Sequence, residues 1–125
     1  FTPQFLRNAV LVLVVYDISA PLRLYKIESW VKMVPEGAAI LVVPAKSDLQ
    51  SAESDSDSLR GLKSDNPIYF AEPTSAKTGN NVDELMIKMT EVLKKHFVEE
   101  KNKTDNQYAD INNEEKKFLD CCNLQ

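Results

Sequence analysis

The chain has 125 residues, 43% of them hydrophobic and 27% charged, with a net charge of -4. That length allows at most one domain, and the composition is that of an ordinary globular protein. The negative balance excludes an electrostatic case for nucleic acid, and no apolar run reaches the roughly 18 residues that a membrane-spanning helix needs.

The opening Phe1-Thr2-Pro3-Gln4-Phe5 lacks the basic-then-apolar pattern of a secretory signal. A first residue other than Met leads us to expect either a removed start or a chain that begins inside a longer one. The unbroken apolar run from Ala9 to Tyr16 is rich in β-branched residues and predicts a parallel strand buried on both faces. Ser19-Ala20-Pro21 predicts a helix start with a capping hydroxyl. Leu24, Ile27, Val31 and Val34 then form one apolar stripe, stopped by Pro35-Glu36-Gly37. Ala38 to Val43 predicts a second parallel strand, ended by Pro44, so that strand, crossover helix and strand make a βαβ unit.

Ser51 to Ser58 is a serine- and aspartate-rich stretch without the glycine and terminal glutamate of a calcium loop, and it reads as a solvated linker. A single helical turn is expected over Leu59 to Lys63, and a third short strand over Ile68 to Ala71 after Asn66-Pro67. Asn81 reads as the cap of a strong helix, with Asp83 and Glu84 in its first turn and Lys94, Lys95 and His96 near its end. Val82, Leu85, Met86, Met89, Leu93 and Phe97 form that helix's apolar stripe. The predicted domain covers 1–98, and the polar segment 99–125 is expected to be a disordered tether. Within it, Asn102-Lys103-Thr104 matches a glycosylation sequon and is read as chance, because no secretory signal accompanies it.

The tail ends Cys121-Cys122-Asn123-Leu124-Gln125. Adjacent cysteines cannot staple a fold, and a reducing compartment is the expectation. As lipid acceptors they make sense: one chain gives marginal membrane binding, whereas two give stable anchoring. Cys121, Cys122 and His96 do not have zinc spacing, and no Ser-His-Asp set is assembled. Trp30 reads as core packing in preference to a partner hot spot.

Two loops follow predicted strand ends, Pro44-Ala45-Lys46-Ser47-Asp48-Leu49 and Thr74-Ser75-Ala76-Lys77-Thr78-Gly79. Ligands of open α/β sheets bind there. With these residues the chain resembles the carboxyl-terminal half of a Ras-superfamily small GTPase, most closely the Rab branch. Thr2-Pro3-Gln4-Phe5-Leu6-Arg7-Asn8-Ala9 resembles the helix after the second switch, and Val15-Tyr16-Asp17-Ile18 the end of the fourth strand. Lys46-Ser47-Asp48-Leu49 resembles most of the Asn-Lys-x-Asp base motif, and Thr74 to Val82 the second base-recognition loop with the start of the last helix.

The fold implied is α/β: part of a P-loop NTPase G domain, with three mainly parallel strands, flanking helices and a disordered carboxyl-terminal tail. The resemblance implies guanine binding by Lys46, Asp48, Ser75, Ala76 and Lys77, and prenylation of Cys121 and Cys122. Asp48 would accept from the two neighbouring donors of guanine, Lys46 would lay its stem along the base, and the Ala76 N–H would donate to the base oxygen. Ser75 and Lys77 would brace the second loop. The implied ligands are GTP or GDP with magnesium. The implied role is membrane traffic at the cytoplasmic face of intracellular membranes or the plasma membrane. Prenylation escorts, proteins of the GDP-dissociation-inhibitor type and effectors are the implied partners.

The chain departs from the pattern. Ala45 stands where the motif has Asn, Pro44 precedes it, and Pro73 is an extra residue before Thr74. The glycines are Gly37, Gly61 and Gly79, and no Gly-x-x-x-x-Gly-Lys-Ser/Thr stretch, Asp-x-x-Gly or switch threonine occurs. The expectation is that this chain alone neither holds GTP tightly nor hydrolyses it. Two rival readings are a membrane-tethered binding module without nucleotide chemistry and a flavodoxin-like binding domain. The reading also expects the first strand to be a bare apolar edge if its family neighbours are missing.

Overall fold

The computed structural model describes residues 3–49 and 56–122. The expectations for Thr2, for most of the serine-rich stretch and for Asn123-Leu124-Gln125 lie outside the described residues. Three strands, β1 (Leu11–Asp17), β2 (Ala39–Ala45) and β3 (Ile68–Phe70), form one parallel sheet in the order β1-β2-β3. The helices are α1 (Pro3–Leu6), α2 (Leu24–Lys32), α3 (Ser56–Leu59) and α4 (Val82–Cys122). This is the α/β arrangement of three parallel strands expected from the sequence.

Register runs from Leu11 opposite Ala39 to Asp17 opposite Ala45, and from Ile40 opposite Ile68 to Val42 opposite Phe70. All three strands therefore point the same way, and the loops after β1, β2 and β3 open on one rim of the sheet.

The two apolar runs have different fates. β2 is the central strand, and Ala39 to Val43 are buried on both faces. β1 pairs only with β2 among the described residues; Val14 is buried, while Val15 is 59% exposed. The expectation that the Ala9–Tyr16 run is buried on both faces is thus corrected, because that burial requires a second neighbouring strand. One core joins Val14, Ile40 and Val42 of the sheet to Ile27 and Val31 of α2, with Val34, Ala38 and Leu59. The α2 stripe thus packs as its spacing predicts.

Several local expectations are corrected by competing hydrogen bonds. Ser19 does not cap α2, which begins at Leu24 with Arg23 before it and no side-chain cap. The Ser19 hydroxyl and N–H both donate to Asp17 Oδ1, at 2.6 and 2.9 Å, because a carboxylate two residues back is the stronger local acceptor. Pro44 does not end β2. Its missing N–H is tolerated, and its carbonyl accepts from the Thr74 N–H at 2.8 Å and the Thr74 hydroxyl at 3.0 Å. Asn81 starts α4 through its carbonyl, which accepts from the Leu85 N–H at 3.0 Å, but its side-chain amide donates to the Pro73 carbonyl at 2.8 Å. Trp30 is 49% exposed and is not a core residue.

α4 runs on to Cys122, so Lys94, Lys95 and His96 lie inside the helix and not at its end. The segment from Glu99, expected to be a disordered tether, is helical as far as Cys122. Between Glu99 and Cys122 there is no Gly or Pro to stop the helix. Low hydropathy argues against burial, and Glu99 to Asp105 are indeed exposed, but it does not break backbone hydrogen bonds. The chain divides into two compact units within α4, between Leu93 and Lys94.

Candidate functional site: two loops at the carboxyl rim of the sheet

The chain leaves β2 through Lys46, whose φ is +64°, and enters a short 3-10 turn, Ser47–Leu49, that carries Asp48. A left-handed residue other than glycine is uncommon, and here it turns the chain sharply off the strand. The turn closes by the Leu49 N–H donating to the Lys46 carbonyl at 2.9 Å.

The second loop leaves β3 and folds on itself. The Gly79 N–H donates to the Ser75 carbonyl at 2.9 Å, and the Ser75 N–H donates to the Asn80 carbonyl at 3.0 Å. Gly79 has φ +78°, the conformation glycine supplies without a steric penalty. Thr74 and Ser75 are buried, whereas Ala76, Lys77 and Thr78 are exposed. The loop containing the extra Pro73 is therefore closed by its own backbone, and Asn81 holds it from behind.

Besides the Thr74 bonds to the Pro44 carbonyl, further hydrogen bonds join the two loops. The Ser47 N–H donates to the Thr74 carbonyl at 2.9 Å, and the Asn80 side-chain amide to the Ser47 hydroxyl at 3.5 Å. The Ser75 hydroxyl donates to Asp48 Oδ1 at 2.6 Å. That bond, with smaller help from Lys77 and Lys46, holds the Asp48 carboxyl below the usual carboxylate range. Asp48 is thus an ionised, oriented acceptor at an exposed position. Each carboxylate oxygen has room for about two donors, so one bond from Ser75 leaves both oxygens able to accept.

A shallow hollow of about 510 Å³ lies between the loops, lined by Ser47, Asp48, Thr78, Gly79 and Asn80. Of the residues expected to bind guanine, only Asp48 lines it. Ser75 stands behind Asp48, Ala76 and Lys77 sit exposed on the turn, and Lys46 points its ammonium elsewhere. That ammonium reaches Asp17 Oδ2 at 2.5 Å. The sequence reading gave Asp17, Ser47 and Asn80 no role. The one local signal was Asp17-Ile18-Ser19, the pattern of a side chain bonding its own backbone two residues on.

Among the described residues no cluster of His, Cys, Asp or Glu could hold a metal ion, and no helix is long and apolar enough to cross a membrane. The oriented carboxylate fits a base that presents paired donors. The sequence given supplies no matching cradle for phosphates. Cys121 and Cys122 form the last described turn of α4.

Residues 1–95 match the Ras family. The chain is similar to the GTP-binding protein ypt5 of Schizosaccharomyces pombe, 37% identical over 106 residues. That alignment covers 79% of this chain and 48% of the relative, so the chain spans about half the relative's length.

Proposed function

The chain belongs to the Ras family, and from that premise we propose that its two rim loops are the base-recognition half of a guanine-nucleotide site in a Rab-like small GTPase. The observation that carries this reading is the Ser75–Asp48 hydrogen bond, which presents an ionised carboxylate beside a hollow at the strand ends.

Guanine offers two adjacent donors, N1–H and the exocyclic amine. Asp48 accepts both at once, a bidentate charge-assisted pair that adenine cannot form. Ser75 fixes the carboxylate, and the exposed Ala76 N–H is the donor for the base oxygen. Lys46 covers the base with its alkyl stem, and Lys77 adds positive potential beside Asp48. Magnesium and the phosphates supply most of the affinity and the chemistry in such a site when bound, and the residues of this chain hold the base alone.

Titration with guanosine, GDP and adenosine tests the reading. Weak binding that favours guanine and is lost in Asp48→Asn is the expected result. Equal binding of adenosine would refute base recognition, and sub-micromolar GDP binding would refute the claim that the base half acts without a phosphate cradle.

The reading extends to membrane traffic at the cytoplasmic face of intracellular membranes or the plasma membrane, with isoprenyl groups on Cys121 and Cys122. Prenylation escorts, proteins of the GDP-dissociation-inhibitor type and effectors are its partners. Mass spectrometry of the native terminus is expected to find isoprenyl additions on both cysteines; an unmodified terminus removes the anchor. A second reading, a membrane-tethered pseudo-GTPase module, is favoured by Ala45, whose methyl group neither donates nor accepts. Under it, Ala45→Asn in a full-length context leaves nucleotide affinity unchanged. Under the first reading that substitution tightens binding by about one to two decades, the value of a recovered buried hydrogen bond.

A further inference from the structure

We infer that Asp17 is a positioning residue for the base-recognition loop, acting through Lys46; the inference rests on the guanine reading only for its effect on ligand affinity. It starts from the need to hold the chain where it leaves β2. Ala45 has no polar side chain to tie this point down, and the next residue takes a left-handed backbone that a lysine adopts reluctantly. Some other contact must stabilise that conformation.

Asp17 is the last residue of β1 and lies directly opposite Ala45 in the parallel register. The Ile18 N–H donates to the Ala45 carbonyl at 3.1 Å, so the backbones are joined at that step. The Asp17 carboxylate divides its two oxygens. Oδ1 accepts both donors of Ser19, at 2.6 and 2.9 Å, and Oδ2 accepts the Lys46 ammonium at 2.5 Å. The carboxylate is therefore held by its own strand end before Lys46 arrives, which lowers the entropy lost on pairing. The Lys46 side chain is tethered at its base by the strand and at its tip by Asp17.

Tethering Lys46 has consequences one and three residues on. Its carbonyl accepts the Leu49 N–H that closes the turn carrying Asp48, and Ser47, the next residue, donates to Thr74 on the second loop. A relay thus runs from Ser19 through Asp17 and Lys46 to the turn that aims Asp48 at the hollow. The ion pair is partly exposed, with side chains 58% and 32% accessible, so its effect is modest and falls as salt rises.

The test is amide hydrogen exchange on the full chain for wild type, Asp17→Asn, Lys46→Met and the double variant, followed by guanosine titration of each. Asp17→Asn keeps the side chain's shape and removes its charge, and Lys46→Met keeps the stem and removes the ammonium. We expect Asp17→Asn to speed exchange of the Leu49 and Ser47 amides about two- to fivefold, in line with a partly exposed ion pair. Lys46→Met is expected to do the same, and the double variant no more than either. Raised salt is expected to bring wild type towards the variants.

Unchanged exchange in Asp17→Asn would overturn the inference. So would a double variant whose effect is the sum of the singles, because Asp17 would then act without Lys46. Guanosine affinity is expected to weaken by a similar factor in each single variant. Altered exchange in a protein that binds no guanosine sinks the guanine reading while leaving Asp17 as the anchor of the loop. Normal guanosine binding with unaltered exchange in Asp17→Asn does the reverse.

Discussion

Asp17 and Asp48 are both acceptors of donors from other segments, and each is sensitive to acid. Lys46, and then Ser19, lower the Asp17 carboxyl from 3.8 to about 2, and Ser75 lowers that of Asp48. A carboxyl that is more acidic in the folded state stabilises it above the unfolded value, and that contribution is lost as pH falls through the folded one. Wild type is therefore expected to exceed Asp17→Asn in stability at neutral pH, with the gap closing between pH 3.8 and about 2, as measured by urea unfolding at each pH. A gap independent of pH would show that the charge is irrelevant. Asn66 makes a different case. Its side chain is buried, accepts from the Gly37 N–H at 3.1 Å and donates to the Pro35 and Val34 carbonyls at 3.1 and 3.4 Å. It joins the turn after α2 to the start of β3. Asn66→Ala is expected to cost roughly 1–3 kcal/mol, since it removes three hydrogen bonds of a buried side chain, one of them to the buried Val34 carbonyl. A cost under about 0.5 kcal/mol in denaturant titration would mean that water replaces it fully.

At the scale of elements, β2 and β1 divide the labour. β2 is central and buried on both faces, so Leu41→Ala, at a fully buried position, is expected to lose roughly 2–5 kcal/mol. β1 has one strand neighbour among the described residues and exposes Val15. An apolar edge of that kind invites pairing with another chain. Val15→Lys is therefore expected to leave stability within about 0.5 kcal/mol while lowering concentration-dependent light scattering. Scattering identical to wild type would show that β1 does not drive association.

For the molecule as a whole, stability is unevenly spread. Leu93 closes the unit that contains the sheet and the rim loops, and Lys94 opens a second. Within the second, Glu99 to Asp105 are exposed, and the helix is supported there by backbone bonds, the Thr104 hydroxyl on the Glu100 carbonyl at 3.0 Å and a loose Lys103–Glu100 pair at 3.9 Å. Such local support is weak and melts gradually. Circular dichroism of the full chain minus a chain ending at Val98 is expected to show helix that declines steadily on heating, while the sheet unfolds in one step. A difference signal that vanishes at the sheet's own midpoint would contradict this.

The apolar runs, the α2 stripe and the order of the loops determined by themselves that this is a parallel α/β protein with its loops at one rim, because burial periodicity is written locally. Resemblance singled out Asp48 and Ser75, which the fold joins by a hydrogen bond, and the sequence also specified the unusual Ala45. Tertiary structure alone decided which run became the centre and which the edge, because that depends on how many neighbours a strand finds. It also decided that Lys46 reaches Asp17 across 29 residues of chain, and that Ser75 reaches Asp48 across 27. Those outcomes are competitions between partners distant in sequence, and only the folded register brings the competitors within reach of one another.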